Sequence, residues 1–313
     1  MAGTATHYIF GFDVLSRLAG ADALSSRERE AFLMGNFGPD PFLFLKTDPI
    51  ARRYRKIGRK MHRKKTDELL AAMHARFIAG DATSGVTRAY ALGFLCHFLL
   101  DSAVHPLVYA QQQAICEAGI GDVEGRRAQR AIHATIETEA DECLIWAKLG
   151  VTAADYPPHE TMFCCPADVL AEVSQALADV IAAVYGIDVP TGLFAHAYRF
   201  NRVIQMIFDS KCSGVSQQVD YVELAGRLSP YLLAMSYKGE PRDHTVFANE
   251  DHVPWPHPWE EGAVVQESFW DLYDAALARA VELVPAYGDE QFDFEQCQAL
   301  TEGLNFAGQK ITH

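Results

Sequence analysis

Three side chains in one apolar stretch have the spacing for metal or proton chemistry. Residues 93–106 read Gly-Phe-Leu-Cys-His-Phe-Leu-Leu-Asp-Ser-Ala-Val-His-Pro, and His97, Asp101 and His105 recur there at intervals of four. At about 100° per residue a step of four drifts by only about 40°, so on a helix the three line one stripe. Imidazole and carboxylate are costly to bury among Phe and Leu unless they are hydrogen-bonded or hold a metal. Taken alone, the stretch admits either account. Further along, His133-Ala-Thr-Ile-Glu137 is another i, i+4 pair, with Asp141 one step beyond it. An ordinary surface hydrogen bond would explain that pair as well.

With His7, Asp40 and His62, eight candidate ligands fall within the first 137 residues. Zinc takes imidazole nitrogen and carboxylate oxygen, and its catalytic sites keep a position open for water. That many ligands exceed one four-coordinate ion and point to a cluster, in which Asp101 can bridge two metals through its two oxygens. Ions a few ångströms apart can clamp a phosphate, stabilise its developing charge and generate hydroxide near neutral pH. The remaining histidines, His74, His159, His196, His244, His252, His257 and His313, fit no ligand spacing and read as surface or satisfied polar residues. Cys96 reads as a small core residue, and the adjacent Cys164 and Cys165 lack the second pair that a zinc site needs.

The elements that must position these groups read as helices throughout. Periodicity and start signals place them at about 12–19, 25–34, 66–79, 84–110, 125–149, 167–185, 192–210, 215–236, 263–285 and 291–303. Ser25 and Ser26 are the expected caps of the second. Gly35 to Phe42 is dense in Gly and Pro and reads as a loop, with Asp40 held between two prolines. Pro106 cannot donate a backbone hydrogen bond, so the fourth helix is expected to kink or stop there. Tyr156 to His159 reads as a linker. Residues 238–262 form a proline-rich run with Trp255-Pro-His-Pro-Trp259, of a kind that is usually functional or disordered. Its two tryptophans could cap the core, fold over a cleft or touch a lipid interface. No strand-period alternation and no internal repeat is present. The expectation is an all-α protein, one domain over residues 1–313, with ligands in 1–150 and a second helical half in 151–313.

The chain has 313 residues, 49% of them hydrophobic, and a net charge of −14. That balance argues against nucleic acid as a general partner. One stretch runs the other way: Arg52 to Lys65 holds nine of the 27 Lys and Arg residues. It reads either as a solvated face or as an approach surface for phosphate groups or anionic lipid. The first residues have neither a positive n-region nor an apolar h-region. No run of 18 apolar residues is free of charge. Seven scattered cysteines suit reduced thiols. A cytoplasmic location is therefore expected.

The order and dressing of the ligand residues resemble the bacterial zinc-dependent phospholipase C family, an all-α group sharing a trinuclear zinc site with single-strand-specific nucleases. The resemblance is carried by Thr6-His7-Tyr-Ile-Phe-Gly, Gly38-Pro-Asp40-Pro, His62 in its helix, the 93–106 stretch and His133-x3-Glu137. It implies two or three zinc ions. Asp40, His62, His97 and Asp101 would hold one, and His105, His133 and Glu137 a second; His7 would bind a third, to which Asp101 bridges. Asp40 would also be the base that orients the attacking water, and Phe42, close to Asp40, would line a substrate pocket. The implied reaction cleaves a phospholipid to diacylglycerol and a phosphorylated head group, with peripheral membrane contact. Two alternatives stay open: a phosphoesterase or nuclease acting on a soluble substrate, and a non-catalytic zinc-binding scaffold.

Overall fold

The computed structural model describes residues 3–80, 83–119, 125–208, 237 and 240–311. The helices are α1 (Thr4–Leu15), α2 (Ser26–Gly35), α3 (Ile57–Arg63), α4 (Thr66–Phe77), α5 (Gly85–Glu117), α6 (Arg126–Leu149) and the short α7 (Pro158–Thr161). They continue with α8 (Ala167–Tyr185), α9 (Leu193–Phe208), α10 (Phe269–Tyr287) and α11 (Phe294–Thr301). Strand is limited, among the described residues, to one antiparallel two-residue pair, β1 (Trp255–Pro256) with β2 (Val264–Val265). The protein is all-α, as its periodicity implies.

Local chemistry explains several boundaries. Ser25 caps α2 in a reciprocal box: its hydroxyl accepts from the Glu28 N–H, and the Glu28 carboxylate accepts from the Ser25 N–H at 2.7 Å. Helix α1 begins well before residue 12, so that His7 is helical. Its first-turn N–H groups are satisfied by a residue far away in sequence, because the Asp141 carboxylate accepts from Ala5 N at 3.1 Å and Thr6 N at 2.7 Å. Helix α5 runs unbroken through Pro106 instead of stopping. An interior proline costs a helix about 3 kcal/mol. Leu99, Leu100, Leu107 and Val108 on either side of it are all buried, and their burial offsets that cost.

Three smaller readings also change. The Gly/Pro-rich segment holds a 3-10 helix, Asp40–Lys46. The expected linker at Tyr156 to His159 runs into α7, and α10 starts at Phe269 because Val264 and Val265 pair with β1. The helix expected at 215–236 lies outside the described residues.

Two compact units interleave along the chain. One comprises Met1–Thr6, Val104–Met162 and Val203–Asp274; the other comprises His7–Ala103, Phe163–Arg202 and Ala275–His313. Within the second, α4 packs on α8 and α11. There α2 crosses α5 so closely that a Cβ on Gly93 would strike the Phe32 carbonyl oxygen, and one on Gly35 would strike that of Tyr90. In the first unit Arg242 ties the 240–248 segment to α6, donating to Glu142 at 2.8 Å and Glu139 at 2.9 Å. Helix α5 is long and apolar enough to cross a membrane, but 89% of its most apolar stretch is buried within the protein, the signature of a core helix. The six described cysteines are all free thiols.

Two outcomes test this packing. Alanine is ordinarily the better helix former by about 1 kcal/mol, yet Gly93→Ala should destabilise by about 1–3 kcal/mol because its methyl meets backbone. Denaturant midpoints at unchanged slope check this. The second concerns Asp48, which is buried and accepts from Ile50 N at 2.7 Å and Ala51 N at 2.9 Å, with His196 Nε2 2.5 Å away. Burial opposes its charge, but these partners hold the carboxyl below the usual range. Its stabilisation is thus present above about pH 4 and lost as pH falls through the lowered folded value. The stability gap between wild type and Asp48→Asn should close on acidification, as read by unfolding at pH 7 and pH 3.

Candidate metal centre

His97 is the hinge of the first cluster. It is fully buried on α5, and its Nδ1 donates to the Asn36 carbonyl at 2.9 Å. Gly38 makes room for the ring: its φ is +49°, and a Cβ there would overlap His97. With Nδ1 committed as donor to the backbone, Nε2 is the ring nitrogen that faces the carboxylates. Asp101 Oδ2 lies 3.3 Å from that nitrogen and Asp40 Oδ1 3.8 Å from it. His62 repeats the pattern from α3, where Nδ1 donates to the Gly58 carbonyl at 2.7 Å and Nε2 sits 2.9 Å from Asp40 Oδ1.

His7 completes the cluster from α1. Its ring stacks on His97 at a centroid distance of 4.0 Å, and its Nε2 is 3.2 Å from Asp101 Oδ1. Both nitrogens of His7 and the Nε2 of His97 are buried without a hydrogen-bond partner among the described residues. Asp101 has no exposed surface; burial opposes its charge, but His97 and His7 hold the carboxyl well below the usual range.

The second cluster is built in the other unit on α5 and α6. His133 Nδ1 contacts the Gln112 side-chain oxygen at 2.9 Å, which turns Nε2 toward Glu137 Oε1 at 3.0 Å. His105 Nε2 is 3.7 Å from the same oxygen, and its ring lies nearly parallel to that of His133 at 5.7 Å. Burial also opposes the Glu137 charge, yet the His133 imidazole contributes to holding its carboxyl below the usual range. Asp141, one helical step on, serves instead as the cap of α1.

These contacts test whether the residues suit zinc. Imidazole lone pairs facing carboxylate oxygens at 2.9–3.8 Å repel unless the rings are protonated or a cation lies between them. The backbone acceptors behind His62 and His97 are the outer partners that ligating histidines use. Three groups have all their candidate ligand atoms within 4.8 Å of one another: His7, His97 and Asp101; Asp40, His62 and His97; His105, His133 and Glu137. The donor set is nitrogen and oxygen without sulfur, and it fits zinc.

All eight ligand candidates thus fall in these three groups. The distances place Asp101 beside His7 and His97, and make His97 common to two groups. Phe42 is fully buried, its ring 5.5 Å from that of Phe194. A cavity of about 400 Å³ lies instead in the unit that holds His133, lined by Tyr109, Gln112, Gln129 and Trp259 among others. Tyr109 packs on His133 at 4.8 Å and meets Trp259 edge-on at 5.1 Å. Trp255 is buried, with its indole N–H donating to the Glu267 carbonyl.

Sequence reasoning missed Asn36, Gln112 and Phe306. Phe306 walls the first cluster, 5.3 Å from His62 and 5.6 Å from His97, and its N–H donates to the His62 carbonyl. Nothing local marks it, since only tertiary contact gives it this place.

Fold and clusters together define an all-α protein with multinuclear metal-site character. The zinc-dependent phospholipase C family model matches residues 6–185. The chain belongs to that family. No curated protein and no solved structure matches it.

Elemental analysis of protein purified without chelator should give two or three zinc per chain. Because His97 serves two groups, His97→Ala should lose more metal than His133→Ala. Chelation should lower the unfolding temperature, since lone pairs and carboxylates are then left facing one another.

Proposed function

We propose that this chain is a zinc-dependent phosphodiester hydrolase that cleaves phospholipids in the phospholipase C manner. The observation that carries this reading is the presence of three nitrogen–oxygen ligand groups, each with its ligand atoms close together, in a chain of the zinc-dependent phospholipase C family. His7, His97 and Asp101, then Asp40, His62 and His97, and finally His105, His133 and Glu137 are the residues that would hold the ions. Bound zinc supplies stabilisation of charge developing on the phosphate oxygens and makes water acidic enough to attack near neutral pH.

The chain's own groups do the rest. Asp40 keeps about an eighth of its side chain accessible (12%), so it can reach both His62 and an incoming water. It orients that water and accepts its proton. The water oxygen joins phosphorus, and the bond from phosphorus to the glyceryl oxygen breaks. The departing diacylglycerol oxygen takes up a proton, leaving a phosphorylated head group. Buried Phe42 supports the turn that presents Asp40.

The test is release of phosphorylated head group from dispersed phospholipids by zinc-loaded protein. Asp40→Asn should lower the rate by at least about 10²–10⁴-fold, the usual contribution of a positioned base, with metal lost at most from the group that Asp40 shares with His62 and His97. Absence of release from any common phospholipid, or an undiminished rate in Asp40→Asn, would overturn the reading.

A further inference from the structure

We propose that the segment Ile50–Lys65 is a docking surface for an anionic lipid bilayer, a role that goes beyond the hydrolytic reading and does not depend on it. Eight of its nine basic side chains, Arg52, Arg53, Arg55, Lys56, Arg59, Arg63, Lys64 and Lys65, are exposed, in a protein whose net charge is −14. Among the described residues, Arg52, Arg53, Arg55, Lys56, Arg63 and Lys64 form no ion pair with a carboxylate. A like-charge cluster of this density repels itself, so it is stabilised by a surface of opposite sign.

Two features select a membrane over a nucleic acid. Ile50 stands at the edge of the patch with 81% of its surface exposed. It is presented by a fixed turn, because buried Asp48 accepts from the Ile50 and Ala51 N–H groups and is itself paired with His196. An apolar side chain on a hydrogen-bonded turn, followed in sequence by exposed Arg52, Arg53 and Arg55, can enter the head-group layer while the cations meet lipid phosphate. Arg53 lies over the Tyr54 ring at 4.7 Å, which fixes a second amphipathic side chain in the same surface. Helix α3 turns Arg59 and Arg63 to solvent and His62 toward Asp40, so a bilayer seated here would lie next to the first ligand cluster.

The experiment is flotation of the full zinc-loaded chain at low temperature with phosphatidylcholine vesicles, with and without about one-third phosphatidylglycerol, in low and moderate salt. We expect retention on the anionic vesicles, little on the neutral ones, and loss as salt rises. Arg52→Glu with Arg53→Glu and Lys56→Glu should weaken partitioning by about a hundredfold, and Ile50→Asp by about tenfold. Should the charge-reversed chain not fold, the Gln variants at the same three positions should still weaken it. Equal retention on both vesicles, no retention, or undiminished binding in the variants would overturn the proposal. So would capture of a single-stranded oligonucleotide without vesicles. Binding is read without turnover. An inactive protein that still floats would therefore sink only the hydrolase reading, and an active one that does not float only this one.

Discussion

The arrangement depends on one electrostatic constraint: imidazole nitrogens and carboxylates are buried facing one another. His97 and Asp101 have no exposed surface, and His7 has none either. Desolvated carboxylates persist only when paired with positive charge or donors. Here the Nδ1 atoms of His62 and His97 are already spent on backbone carbonyls, so the Nε2 atoms are the ones that face the carboxylate oxygens. A cation of zinc's type is the group that satisfies such a set. The same constraint explains the surrounding architecture, for each ring must be held at a fixed tautomer and angle to serve.

Much of the structure near the first cluster can be read as support for that arrangement. Gly38 gives up its side chain to the His97 ring, Asn36 offers its carbonyl, and Phe306 closes the apolar side. The glycine contact between α2 and α5 brings the Asn36 turn close to α5. In the other unit, Gln112 and Tyr109 do the equivalent work for His133. Helix α5 supplies candidate ligands to both clusters and remains helical through Pro106. Burial prevails there over local backbone preference.

The charge distribution carries a separate message. An acidic protein that concentrates a third of its cations in fourteen residues has separated its solubility from its local potential. That concentration coincides with the helix bearing His62 and with an exposed isoleucine, which gives the surface a polarity that composition alone does not convey.

The sequence by itself determined the fold class and the identity of the eight ligand candidates. Helical period and the step of four are local properties, and costly polar residues in apolar stretches stand out without a structure. It also placed the start of α2, because the capping serine is written beside it. Only the tertiary structure decided which ligands meet: Asp101 beside His7 and His97, with His97 shared. Distances between residues 7, 40, 62 and 97 depend on how helices cross, and that is fixed by glycine contacts and buried side chains far apart in the chain. The early start of α1 belongs with these, since its cap is Asp141, and so does the place of Phe306. So does the helical state of Pro106, where local preference argued for a kink or a stop and the helix continues between buried leucines.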